Sequence, residues 1–179
     1  VPLVKEEVLT PQQTEALAFT MLSPDQRKEF LEKGELDMAY DFKGKARFRV
    51  NVYRERGFFA VACRLIPAKI RTLAELGLPK ALSRFTEYSQ GLILVTGPIG
   101  HGKSTTLAAL LDIINHARNA HILTIEDPIE YMFEPDRAII TQREVKKDTK
   151  DFQAALTHAF RQDIDVMMVG EMRDPETMA

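Results

Sequence analysis

The chain has no tryptophan and a single cysteine, Cys63. No intrachain disulfide can form, and no paired-cysteine metal site can be built. Its four histidines lie apart, and none makes a metal-ligand pair with the cysteine. No charge of one sign dominates either. The 24 Lys and Arg are matched by 26 Asp and Glu, for a formal net charge of −2, and the two signs are interspersed. That pattern gives no footprint for nucleic acid or an anionic membrane surface. No apolar run reaches the ~20 residues that span a bilayer, so direct membrane insertion is not expected. No secretory signal and no internal repeat are visible. Cys63 falls on the apolar phase of an alternating stretch, which predicts a buried, reduced thiol. His116 and His121 flank a predicted turn and are expected to face solvent.

What the chain does have is one octapeptide, Gly97-Pro-Ile-Gly-His-Gly-Lys-Ser104, which fits G-x-x-x-x-G-K-[ST] without mismatch. Before it, Gly91-Leu-Ile-Leu-Val-Thr96 is an apolar run of strand type. After it, Leu107, Leu110, Leu111 and Ile114 recur at helical spacing. Strand, glycine loop and helix together surround a polyphosphate with backbone N–H groups. The candidate nucleotide contacts are Gly97, Pro98, Ile99, Gly100, His101, Gly102, Lys103, Ser104 and Thr105. Lys103 would neutralise the β/γ-phosphates, and the Ser104 hydroxyl would bind Mg²⁺. The dinucleotide fingerprint G-x-G-x-x-G is absent, because the glycines run G-x-x-G-x-G. A hydride-transfer enzyme is therefore disfavoured.

Two further strand-like runs end in acids. His121-Ile-Leu-Thr-Ile125 leads into Glu126-Asp127-Pro128, and Val166-Met-Met-Val169 leads into Gly170-Glu171. Parallel strands open at their C-terminal ends onto a ligand crevice. Glu126, Asp127 and Glu171 would then converge beside the phosphate loop, as stations for Mg²⁺ and for the attacking water. The residues alone leave open which glutamate is the base.

The first half carries a basic hairpin. Ala46 to Tyr53 and Phe58 to Ile66 both alternate, with Phe48, Val50 and Val52 on the apolar face of the first run. A four-residue connection, Arg54 to Gly57, would pair Tyr53 with Phe58 and set Arg47 opposite Arg64. Like charges so placed repel, and an external anion would relieve them. A solvated basic face is the plainer alternative. Thr10-Pro11 and Ser23-Pro24, with Gln13 and Gln26, read as two capping boxes opening helices near 11–22 and 24–33. Strands follow near 36–42, 46–53 and 58–66. The expected class is α/β: a small N-terminal domain over 1–70, a linker over 71–79 with a short helix from Thr72, and a nucleotide-binding domain over 80–179. The last helix, near 149–162, shows Phe152, Leu156 and Phe160 as a core stripe.

The stretches LILVTGPIGHGKSTTLAALLDIIN, HILTIEDPIEY, ITQREVKKDT and RQDIDVMMVGEMRDPET, between Leu92 and Thr177, resemble the PilT-type retraction ATPases of the secretion-ATPase superfamily. The resemblance implies a PAS-like N-terminal domain and a RecA-like ATPase domain, assembled as a hexameric ring. It implies an ATP- and Mg²⁺-dependent motor at the cytoplasmic face of the inner membrane, working with a pilus platform protein. By the same resemblance Glu126 is the general base, Glu171 and Asp127 are magnesium stations, and Arg49 and Arg64 are phosphate sensors. Ile99 and His101 stand where the family usually has Thr and Ser, and Ile164 where it has proline. The family's histidine box has no counterpart before Ala179, so the resemblance implies a fragment, with a start that is also incomplete. Assembly and type II secretion ATPases of the superfamily are the alternatives within the enzyme class. A nucleotide-binding regulator that does not hydrolyse is the alternative outside it.

Overall fold

The computed structural model describes residues 8–172. Arg173 to Thr177, the end of the last matching stretch, lie outside the described residues. The chain divides between Ile66 and Pro67 into two compact units.

In the first unit, α1 (Pro11–Met21) and α2 (Pro24–Lys33) each begin with a reciprocal capping box and a proline in the first turn. The Thr10 hydroxyl accepts from the Gln13 amide at 3.3 Å, and Gln13 returns the bond to the Thr10 amide at 2.8 Å. Gly34, at φ 82°, ends α2 in the left-handed conformation that costs a glycine little. Strands β1 (Glu35–Phe42), β2 (Ala46–Glu55) and β3 (Phe58–Ile66) form an antiparallel sheet in that order. The helices cover the face carrying Leu36, Met38, Val50 and Val52, with Phe30 and Ala18 fully buried against it.

The hairpin register differs from the expectation. Glu55 pairs with Phe58, Arg49 lies directly opposite Arg64, and Arg47 lies opposite Ile66. The connection is only Arg56-Gly57, with φ of 52° and 85°. Positive φ at both central residues makes the tight two-residue turn that suits strand twist. The slip is two residues, so each side chain keeps its face. Phe48 and Val50 meet Leu65 and Cys63. Cys63 is exposed rather than buried, because β3 is covered only up to Val61.

In the second unit, Leu73, Leu76 and Leu78 pack on Ala109 and Leu110. The stretch expected as a linker is therefore part of this unit's packing. The helix expected at Thr72 is a turn closed by the Thr72 amide and hydroxyl on the Glu75 carboxylate. After a 3₁₀ helix over Lys80–Glu87 come α3 (Lys103–Ala117), β4 (His121–Glu126), β5 (Ile139–Glu144), α4 (Phe152–Ala159) and β6 (Val166–Val169). The sheet is parallel, in the order β5-β4-β6. Its central strand is buried on both sides. Ile122 packs with Leu111 and Ile114 of α3, whereas Leu123 and Ile125 pack with Ala155 and Ala159 of α4. Helices on both faces of a parallel sheet make this an α/β unit.

Three local expectations fail here. Gly91–Thr96 is not a strand: no ladder partner holds it among the described residues, and Leu92 and Leu94 are 78% and 60% exposed. The stripe on α4 is Phe152, Ala155, Leu156 and Ala159; Phe160 lies beyond the last helical turn and is 84% exposed. His121 does not face solvent, since its ring reaches the Gln162 carbonyl and the Thr141 hydroxyl, each at 2.9 Å. His116 is exposed as expected.

Candidate functional site

Helix α3 opens at Lys103 with Gly102 as its cap. No side chain caps its first-turn amides, and no acid stands in that turn. Its N–H groups and the positive end of its dipole are therefore left for an anion. Gly100 and Gly102, at φ 81° and 82°, hold a conformation that a side chain would strain. The Lys103 ammonium folds back over the loop and donates to the Gly97 and Pro98 carbonyls, both at 2.9 Å. Ile99 is 89% exposed, and the exposed His101 ring turns to the Ile99 carbonyl at 3.1 Å. The two unusual loop residues thus project away while the backbone shapes the interior. Ser104 and Thr105 are half-buried in the first turn of α3.

A cleft of about 830 Å³ lies beside this loop. Gly97, Lys103, Gly170 and Glu171 line its polar part, and Leu107 and Leu111 its apolar wall. The structure thus brings Lys103 and Glu171 to one opening. Glu126 does not line it. It is 7% exposed, at the C-terminal end of β4. Its carboxylate accepts from the Thr124 hydroxyl at 2.8 Å and from the Glu130 amide at 3.2 Å. Burial pushes the Glu126 carboxyl above the ordinary carboxylate value, and the Glu130 amide and Thr124 hydroxyl pull it partly back. Asp127 pairs with Lys146 at 3.0 Å, which directs it toward that ammonium. Arg49 and Arg64 face each other across β2 and β3 of the first unit.

A family described as "Type II/IV secretion system protein" matches residues 39–179. The chain belongs to that family. A type IV pilus retraction ATPase, PilT of Pseudomonas aeruginosa, is 46% identical over 170 residues, covering 95% of this chain and 49% of the relative. A twitching motility protein of Neisseria gonorrhoeae is 44% identical over 159 residues, covering 89% of this chain and 42% of the relative. The crystal structure of a pilus retraction motor PilT with bound ADP superimposes with a TM-score of 0.89 at 48% identity, over 95% of this chain and 50% of that one. The chain thus spans about half the length of the relatives it matches.

For a member of the type II/IV secretion family, Gly170 now has a physical reason. Its amide donates to the Ile125 carbonyl at 2.8 Å, placing it flush against β4. A Cβ there would sit 3.2 Å from that oxygen and 3.4 Å from both Cα and Cγ of Glu126. The constraint is one of space rather than backbone conformation, since Gly170 is not among the residues with positive φ. Gly170→Ala is expected to press on the Ile125 carbonyl, which must give by a few tenths of an ångström, and to cost about 1–3 kcal/mol of stability. Thermal melting of the variant beside wild type checks this. A melting temperature equal to wild type would show that β4 yields at no cost.

Several residues around Glu126 escaped the sequence reading. In register, Thr124 lies beside Gln142 and Glu126 beside Glu144. These four alternate residues share the α3-facing side of the sheet with Ile122. Glu144 is 6% exposed and accepts from the Ile129 amide at 3.1 Å. Gln142 accepts from the Phe133 amide at 3.0 Å and donates to the Tyr131 carbonyl at 2.8 Å. The available signal was the two-residue spacing of polar groups in otherwise apolar strands.

Proposed function

We propose that this chain is the ATP-binding part of a pilus retraction motor that hydrolyses ATP with Mg²⁺. The observation that carries the reading is the uncapped start of α3, with Lys103 and Glu171 lining one cleft, in a chain that is similar to PilT over 95% of its length. Lys103 and the loop amides bind and neutralise the phosphates. Glu126, buried behind the cleft lining at the end of β4, takes the proton of the attacking water, and its burial makes it a stronger base than an exposed glutamate. Arg49 and Arg64 supply positive charge to a nucleotide in a hexameric ring of such chains. The Ser104 hydroxyl and Glu171 carboxylate fit Mg²⁺, since one lies at the start of α3 and the other at the cleft beside it. Asp127 fits less well, because it is engaged with Lys146. No cluster of three or more His, Cys, Asp or Glu is found among the described residues. Mg²⁺ carried on phosphate oxygens needs only one or two protein ligands. That ion would neutralise charge that develops on the phosphate oxygens.

By the same reading the first unit is the PAS-like domain and the second the start of a RecA-like domain. The motor works in the cytoplasm against an inner-membrane platform protein. Deleting the gene tests the direction of work. A strain without a retraction motor keeps its pili and stops twitching, whereas loss of surface pili would assign the chain to assembly.

A further inference from the structure

The loop that leaves β4 after Glu126 returns over the α3 side of the sheet. Strand residues fix it at four points. The Ile129 amide donates to Glu144, the Glu130 amide to Glu126, the Phe133 amide to Gln142, and the Tyr131 carbonyl accepts from Gln142. All four bonds hold the loop to β4 and β5. Farther along, the loop meets the C-terminal part of α3, where the Asn115 side chain donates to the Glu134 carbonyl at 2.9 Å and accepts from the Asp136 amide at 3.0 Å. A different bond reaches the start of α3. The Tyr131 hydroxyl meets the Thr105 hydroxyl at 3.0 Å in a half-buried position, and either group can donate. Thr105 is two residues after Lys103, in the first turn of α3. The Tyr131 ring itself packs against the cluster of Leu111, Ile114 and Ile122, so the hydroxyl is aimed by a ring that is held in place.

We propose that Tyr131 is a positioning residue that couples the phosphate loop to the Glu126 carboxylate through its hydroxyl bond to Thr105. The path is short. Thr105 belongs to the turn that receives the phosphates, and Tyr131 directly follows Glu130, whose amide holds Glu126. Phosphates that settle the first turn of α3 therefore also settle the Tyr131 hydroxyl, and with it the amide that fixes the carboxylate. Binding and the aim of the base become one event. This inference rests on the proposed ATPase reading for its ligand and its reaction.

The test uses the natural full-length protein and Tyr131→Phe, which keeps the ring in its apolar cluster and removes one hydroxyl. One neutral hydrogen bond carries about three- to tenfold in rate. The expected result is a kcat lowered by about that factor, with KM for ATP within about twofold. The same loss should be absent when Tyr131→Phe is added to Thr105→Val, since the bond is already gone. Hydrogen exchange supplies a readout without turnover. ADP should slow exchange at the Ile129 and Glu130 amides in wild type, and Tyr131→Phe should remove that protection while ADP still binds. A kcat equal to wild type, or protection that persists in the variant, overturns the coupling. A loss in kcat that adds fully to that of Thr105→Val overturns the route through Thr105. Wild-type protein that neither binds ADP nor hydrolyses ATP overturns the ATPase reading itself, and the coupling with it.

Discussion

Lys103→Ala is expected to reduce Mg²⁺-ATP hydrolysis by the full-length protein to background. Lys103 stands in the uncapped first turn of α3, and its present bonds, 2.9 Å to the Gly97 and Pro98 carbonyls, hold its ammonium over the loop. Removing one preorganised charge stabiliser typically costs about 10²–10³-fold in kcat. Here the same charge also serves binding, so KM for ATP should rise together with the fall in kcat. The fold should survive, because the ammonium contacts only loop carbonyls and Lys103 is half-buried rather than core. Steady-state phosphate release, wild type beside variant, with circular dichroism as the control for folding, checks the outcome. Turnover that persists in the variant would remove Lys103 from the phosphate site.

Glu126→Gln carries the second large effect and separates binding from chemistry. Glutamine keeps the volume and an oxygen for the Thr124 hydroxyl, but it cannot take a proton from water. Loss of a general base costs about 10²–10⁴-fold in kcat. ATP affinity should stay close to wild type, since the phosphates lie with Lys103 and the loop amides. The wild-type pH profile adds a sign. Burial raises the carboxyl above the ordinary range, so protonation removes the base as pH falls through that raised value. The acid limb of kcat/KM should therefore lie at higher pH than for an exposed glutamate, and the limb should vanish in Glu126→Gln. Equal turnover in the variant would move the base elsewhere, with Glu171 the first candidate.

The glycine loop opening α3 and the α/β class were legible because their signals are local. Glycine spacing, a capping residue and a helical stripe each act within a few residues. The two capping boxes at Thr10 and Ser23 were legible for the same reason. What was not legible depended on contacts distant in sequence. The hairpin register turned on whether Arg56 would accept a positive φ, which alternation cannot report. Alternation placed Cys63 on the apolar face correctly, but burial needed a helix above it, and α1 and α2 stop short. The Lys146 ammonium beside Asp127, supplied by the segment following β5, was likewise not visible in the local pattern. Gly170 could be read as a glycine in a strand-end motif. That it lies tight against the Ile125 carbonyl required the register of β4 against β6.

The exposed run Leu92–Leu94 bears on how these residues behave outside the cell. It lies beside β6, a four-residue strand at the edge of its sheet. An apolar segment next to an open sheet edge is where separate chains begin to pair. The net charge of −2 offers little repulsion to keep them apart. A preparation of these 179 residues alone is thus a candidate for slow precipitation on concentration. Mildly alkaline pH, which adds negative charge, low salt, which leaves that charge unscreened, and dilution, which slows encounters, are the storage conditions to choose for it.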